Sequence, residues 1–488
     1  MRYFISLAFL CLTFNFSLAQ NISDAVRYSV LEVGGTARTV GIGGAIGALG
    51  ADFSVLSTNP AGLAAYRRSE FVFTPAWLRT SVDSRLDGAG TPREREKTNF
   101  NFNNLGIVFA TRPLDSHWRT SVFGIGFNRL ANFHQQIFFE GVSEGSITDR
   151  WLELANGLES DELDGFEAGL AFDGEAIFPN PGVARQYLSD FLPGDLVPKS
   201  QLIKRKGSIN ELVFSFAGNY DEKLMMGVTI GVPLLNYEET KTYRETDEGD
   251  DIPVFDELTY TERLKTTGAG INLKLGLIYR FNQMVRLGFA FHTPTSYGLD
   301  DSFSTSLNYV YTLDGFTPPG EVRSPEGSFD YRLRTPWRFI GSAGLIFEKA
   351  GFLSAEIEWL DYTNTRFNFN NTNSAADVEY EQELNDQIDN ELNSALNIRL
   401  GGEFAYQIFR FRGGYSITAT PYAEDDDPVG AFSLGAGIRE ENIFIDFAFR
   451  RQVTRGSYAP YFVDQSTQPN VITKENRGKF ILTVGFKF

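Results

Sequence analysis

The chain has 488 residues, with 62 Asp+Glu against 44 Lys+Arg and a formal net charge of -18. The acidic balance excludes a nucleic-acid binder, which needs a basic footprint. Three His and one Cys are too few for a His/Cys metal cage or a disulfide framework. The averages leave one excess unexplained: 44 Phe and 47 Gly in a chain that is only 42% hydrophobic.

Met1-Arg2 precedes an apolar stretch over 3–16 and then Ser17-Leu18-Ala19. A positive start, an apolar middle and a small-x-small site predict a signal peptide over 1–19, cut after Ala19 to leave Gln20 first. The apolar stretch is shorter than the ~20 residues of a spanning helix. Cys11 leaves with the peptide, so the mature chain has no Cys. No later segment is long and apolar enough for a membrane helix, so any span must be built from strands.

Residues 20–70 do not read as strands. The stretch 33–63 is rich in Gly and Ala and ends in the turn Asn59-Pro60-Ala61-Gly62. It is not a dinucleotide fingerprint, because Ile46 stands where the third Gly belongs. A compact small-residue segment ahead of a large barrel is expected inside it as a plug, since an empty pore of that width would leak.

From residue 71 the signal has period two. In 352–361, Leu353, Ala355, Ile357 and Trp359 share one face, and Ser354, Glu356 and Glu358 the other. In 271–281, Ile271, Leu273, Leu275, Leu277, Tyr279 and Phe281 oppose Asn272, Lys274, Gly276 and Arg280. About fourteen such runs follow one another to Phe488, joined alternately by short and long connections. That rhythm predicts an all-β fold, a transmembrane antiparallel barrel of about 14 strands with an N-terminal plug (hatch) in its lumen. The expected division is signal peptide 1–19, hatch 20–70 and barrel 71–488. Gly124, Gly126, Gly276, Gly288, Gly401, Gly435 and Gly437 fall on lumen-facing positions, where small side chains leave room for a plug or a ligand.

The stretch 34–63, ending Asn59-Pro60-Ala61-Gly62-Leu63, resembles the hatch of the FadL/TodX family of outer-membrane transporters for hydrophobic compounds. Thr335-Pro336-Trp337 through Ile357-Glu358-Trp359 looks like later strands of that family. The resemblance implies a monomeric barrel in the outer membrane of a Gram-negative bacterium. It implies passive uptake of hydrophobic compounds, above all long-chain fatty acids, by hatch movement and sideways release near an inward kink in the third strand. Gly124 and Gly126 are the candidates for that opening. The implied partners are a hydrophobic small molecule, outer-membrane lipids and, through the last strand ending in Phe488, the barrel-assembly machinery. The long connection 130–209 and the acidic loops depart from the family pattern and leave the ligand class open.

Two helix-like stripes occur in 130–209. Trp151, Leu154, Ala155 and Leu158 form one, and Ala184, Leu188, Phe191 and Leu192 the other. They are candidates for an apolar capture groove, or for the small core that so long a connection needs. Arg150, Arg185, Lys204, Arg205 and Lys206 are available to a carboxylate. Mixed charges on lumen positions, among them Lys274, Glu356, Glu358, Arg399, Glu403, Arg439 and Asp446, are expected to pair. The acidic runs 245–251, 379–391 and 424–427 lack Ca-loop spacing and read as solvated loops. Catalytic motifs, metal-ligand spacing and cofactor fingerprints are absent from the sequence, so no catalytic residue, metal or cofactor is expected. Two alternatives stand beside transport: a binding or assembly component of a secretion system on the same barrel, and a lipase-like outer-membrane enzyme using His292.

Overall fold

The computed structural model describes residues 21–488 apart from 89, 115, 317, 370–373 and 426. The expected signal peptide, 1–19, and Asp426 of the last acidic run lie outside the described residues. The period-two runs become 14 antiparallel strands that close on themselves. They begin with β1 (Glu70–Leu86), β2 (Arg93–Thr111) and β3 (Trp118–Asn132, resuming as Gln135–Glu144). The tall strands β4 (Leu196–Tyr220), β5 (Leu224–Thr246) and β6 (Phe255–Arg280) come next. Three broken strands follow: β7 (Val285–His292 and Ser296–Tyr311), β8 (Gly327–Arg334 and Arg338–Phe347) and β9 (Gly351–Asp361 and Arg366–Asn368). The wall ends with β10 (Ser394–Tyr406), β11 (Phe409–Thr418), β12 (Val429–Arg439), β13 (Ile443–Tyr458) and β14 (Val471–Lys487). β14 pairs back onto β1 from Glu70↔Lys487 to Leu86↔Val471.

Side-chain alternation sorts the two faces. Trp77, Phe100, Phe102, Phe214, Leu275, Phe289, Trp359 and Phe447 point outward and are exposed, forming the apolar belt that lipid requires. The Phe excess therefore lies on the outside. Among the described residues no helix is long and apolar enough to cross a membrane.

Six tight turns join the strands at one rim, which a barrel of this kind places in the periplasm. At the other rim the sequence reading needs correction. The runs predict long connections between them, at 78–104, 236–269 and 452–477 among others, and much of that sequence is strand. A span needs only about 9–11 residues, yet β4, β5 and β6 run for 25, 23 and 26. Above the bilayer no face must be apolar, so these extensions carry Lys, Arg, Glu and Thr and lose the alternation that marks the lower halves. The opposite wall is low, with β11 of 10 residues and β12 of 11.

The N-terminal segment lies in the lumen. α1 (Ile22–Ser29) sits in the outer half, packed among Tyr237, Tyr297 and Tyr331. α2 (Ala37–Gly41) and two 3-10 turns, Phe53–Ser57 and Pro60–Ala65, fill the periplasmic half. α3 (Ile147–Ala155) and α4 (Ala168–Asp173) cover the tall side of the mouth, and α5 (Ala375–Glu391) lies on the low side.

Candidate functional site

The plug fits the wall through glycines. A Cβ at Gly124 would lie 2.9 Å from Leu56 and 3.4 Å from Leu63, and one at Gly126 2.5 Å from Phe53. At Gly106 the Phe53 ring would be 2.0 Å away. Gly276 and Gly288 make the same allowance for Asn59 and Gly47, and Gly401 for Ile42. The lumen glycines are therefore seats for the plug, and the Gly excess is the space it takes.

The hatch motif is the hub of this fit. Asn59 donates from Nδ2 to Gly47 O at 2.7 Å and to Leu277 O at 3.3 Å, while its Oδ1 accepts from Ala61 N–H. Pro60 starts the 3-10 turn that follows, its fixed φ suiting a first helical position. Ala61 and Leu63 are fully buried, and Gly62 lies against Val55 and Gly50. The plug backbone is also tied to the wall around its circumference. Ala37 N–H donates to Thr483, Gly47 N–H to Glu356, Ser354 to Ala45 O, Thr120 to Ala64 O and His292 Nε2 to Thr58 O.

Lumen charges pair as expected. Arg399 bridges Glu356 and Glu358, and Glu358 also takes Arg338 at 3.0 Å. Arg412 bridges Glu403 and Asp446, both at 2.7 Å, and Arg439 reaches Asp446 at 3.1 Å. Lys274 pairs with the buried Glu211.

One seam of the wall is incomplete. β2 and β3 pair only from Asn104↔Asn128 to Thr111↔Ser121. Above that point β2 still pairs with β1 as far as Arg93, but its other edge carries no ladder. β3 bulges between Arg129 and Ala131, breaks after Asn132, and resumes at Gln135, still against β4. Opposite the break is Gly207, at φ +117, where a Cβ would lie 2.1 Å from Asn236 O. Only Gly suits that left-handed, crowded turn of the chain. Upper β3 then crosses the inner side of its neighbours. Ser84 of β1 donates to Phe138 O at 2.8 Å, and Gln135 donates to Glu475 of β14 at 3.1 Å. Ile137 packs on the inward Val82. Gly124 and Gly126 lie lower, in the stretch where β3 is paired on both sides.

The plug's N-terminal arm docks at the break. Glu32 N–H donates to Leu130 O at 2.9 Å, and Asn132 N–H to Glu32 Oε1 at 3.3 Å. Beside it lies a cavity of about 80 Å³ lined by Gly34, Ser57, Asn128, Arg129, His292 and Arg338 among others.

The outer-loop candidates do not share one surface. Trp151 and Phe191 are buried with Leu170 in a core that the loop shares with Phe139 and Phe255 of the upper wall; Leu154 packs against its edge. Leu158 lies past the end of α3, and Leu188 and Leu192 are exposed. The expected second helix does not form: Tyr187–Leu188 pair with Phe178–Pro179 as a two-residue ladder, and Pro193-Gly194 closes the segment. Arg150, Arg185, Arg205 and Lys206 are each paired with a Glu.

No protein-family model and no curated sequence matches the chain. Solved structures do. A FadL homologue of Pseudomonas aeruginosa superposes with a TM-score of 0.57 at 14% identity, over 94% of this chain and 100% of that one. The toluene transporter TodX of Pseudomonas putida gives 0.51 at 12% identity, over 94% and 100%. TbuX, the toluene transporter of Ralstonia pickettii, gives 0.51 at 14%, over 93% and 98%. The chain has the FadL/TodX fold. It is a closed β-barrel with an apolar outer belt.

Two features of this FadL-type barrel escaped the sequence reading. One is the place where β3 breaks: the resemblance implied a kink in the third strand, but only Gly207 on the neighbouring strand signals 129–135. The other is a row of inward asparagines on β2, visible in 98–104 as Thr-Asn-Phe-Asn-Phe-Asn-Asn. Among the described residues no cluster of three or more His, Cys, Asp or Glu has metal-site geometry.

Proposed function

We propose that the protein is a passive channel for hydrophobic compounds, long-chain fatty acids foremost, with capture at the outer loops and release sideways through the wall. The observation that carries this reading is the incomplete β2–β3 seam, where the wall lacks a backbone ladder beside the plug's docking arm. We place the lateral opening there, at 129–135 of β3 and 93–103 of β2, rather than at Gly124 and Gly126. Those two glycines, with the hatch motif Asn59–Leu63, serve to seat the plug beneath it. The named transporters among the similar structures support the substrate class.

The described conformation is a closed one. A pocket that engulfs a small organic ligand measures about 300–1,000 Å³, and the cavity at the seam is far smaller. Passage therefore requires the arm around 30–35, which contacts β3 at the break, to withdraw. The lower plug, held through many hydrogen bonds, stays in place in this scheme.

The test uses the absence of Cys from the mature chain. Asn132 donates to Asn99 across the seam at 3.1 Å, so Asn99→Cys with Asn132→Cys, joined by a short thiol-bridging reagent, locks the opening. Uptake of labelled oleate by cells that depend on this channel is expected to fall at least tenfold. Each single variant, treated alike, is expected to keep it. Undiminished uptake by the bridged pair would sink lateral release.

A further inference from the structure

The asparagines of the seam carry a further consequence. Asn101, Asn103, Asn104 and Asn128 all face inward and are more than nine-tenths buried. Most of their amide nitrogens are engaged: Asn101 donates to Asn99, Asn103 to Gly35 O, and Asn128 to Ser57. Their carbonyl oxygens are not. The Oδ1 atoms of all four, Nδ2 of Asn104 and Nε of Arg129 have no protein partner. An orphaned buried polar atom destabilises the fold, and these six crowd one patch of wall where the β2–β3 ladder ends. The patch continues into the cavity that Asn128 and Arg129 line.

Bare hydrocarbon satisfies none of these atoms, and an ionised carboxylate, which has no donor, cannot serve the four carbonyl oxygens. Hydroxyl and amide N–H groups can. Glu32, the carboxylate nearest Arg129, is already held by Arg477 at 2.6 Å and by Lys479 at 3.7 Å. That leaves the Arg129 guanidinium with hydrogen-bonding capacity for an acceptor on the same ligand. We infer that the β2–β3 seam is a head-group subsite for amphiphiles bearing hydroxyl or amide donors, acyl glycerols being the simplest class. This rests on the channel reading above and deepens it: the seam grades ligands by their heads as their chains leave for the lipid.

Asn104 gives the cleanest test, since neither polar atom of its side chain is used in the fold. Asn104→Leu keeps the branched shape and removes both. Binding of three chain-matched probes to the full mature protein in lipid nanodiscs is compared: 1-monooleoylglycerol, oleate and 1-octadecene. The variant is expected to bind the glyceride about tenfold more weakly, the loss of one or two hydrogen bonds, and the other two within about twofold of the native protein. Unchanged glyceride binding overturns the proposal and assigns the orphaned atoms to water alone. Equal loss of all three probes in a variant that still shows the barrel's gel-mobility shift overturns it as well. If Asn104→Leu does not form a barrel, Asn101→Leu is read by the same criteria. Failure of the native protein to bind any probe strikes the channel reading itself, whereas an unchanged ranking in a binding-competent variant strikes only the subsite.

Discussion

Two seams of the same wall behave differently. Where β14 meets β1, pairing runs from rim to rim and is relieved only by a local irregularity around Pro75. Where β2 meets β3, pairing stops after eight residues, and the upper edge of β2 faces a strand that has bent away inside. In lipid an unpaired backbone group costs several kcal/mol, so the first seam shows what the wall requires and the second what it forgoes. The bend is sustained by substitutes. Ser84 of β1 donates to Phe138 O of upper β3, Gln135 of upper β3 donates to Glu475 of β14, and the plug arm donates to Leu130 O. A gap in a barrel is thus a rerouting of hydrogen bonds into the lumen, and it places polar groups where a ligand passes.

The sharpest way to break this comparison is proline, which removes one N–H. Ile481 of β14 lies between two paired neighbours. Ile481→Pro is expected to cost about 3 kcal/mol or more and to abolish the heat-modifiable band of the folded barrel. At the free edge of β2, consecutive N–H groups alternate between β1 and the open side. Proline at one of Lys97 and Thr98 is therefore expected to leave that band intact. Loss at both positions would mean that the edge is paired after all.

A second, smaller effect concerns the plug beneath the gap. Gly106→Val drives a side chain into the Phe53 ring and is expected to raise single-channel conductance severalfold by lifting the plug from its seat. Gly413→Val, on the lipid face with nothing within 4 Å, is expected to change nothing. Equal conductance in the two variants would detach the plug from its seal.

The smallest effect lies in the outer loop that upper β3 feeds. Asp149 and Asp190 have carboxyls pushed above the usual range by burial. The Ser146 N–H at Asp149 and the Tyr309 hydroxyl at Asp190 offset this only in part. A carboxyl that holds its proton to higher pH when folded adds stability that is full below its unfolded pKa and is lost as pH rises through the folded one. Amide exchange in α3, corrected for intrinsic rate, is therefore expected to be about two- to threefold slower at pH 5 than at pH 7.5. Slower exchange at the higher pH would refute the sign.

The sequence was most legible where the bilayer imposes one apolar face. The 352–361 alternation became Gly351–Asp361, and the lumen glycines predicted from their phase do face the plug, except Gly437, which makes room for the Asp446–Arg412 pair. It was least legible above the bilayer. In the upper parts of β4 and β5, Lys199 to Lys206 pair with 238–245 through residues whose period no lipid enforces. The apolar stripe at 184–192 misled because a loop core takes side chains from any backbone; only Phe191 of that stripe buries, and the turns at 181–182 and 193–194 leave no length for a helix. The break in β3 depends on a partner strand distant in sequence, so the local pattern at 129–135 carries no sign of it. The asparagine row was legible and went unread, although Asn in alternation with Phe is an unusual choice for a strand interior.

The position of α1 bears on how the molecule is made. Its first residues reach Phe166 and Tyr260 at the outer mouth, while Arg67 and Arg68 lie at the periplasmic rim, where Arg68 bonds Asn442 and Lys487 O. The segment between them therefore threads the pore from end to end, with its leading end outward. A sheet that closes β14 onto β1 around this segment entraps it along the whole bore, so the plug is expected to gain protection from proteolysis no later than the last seam.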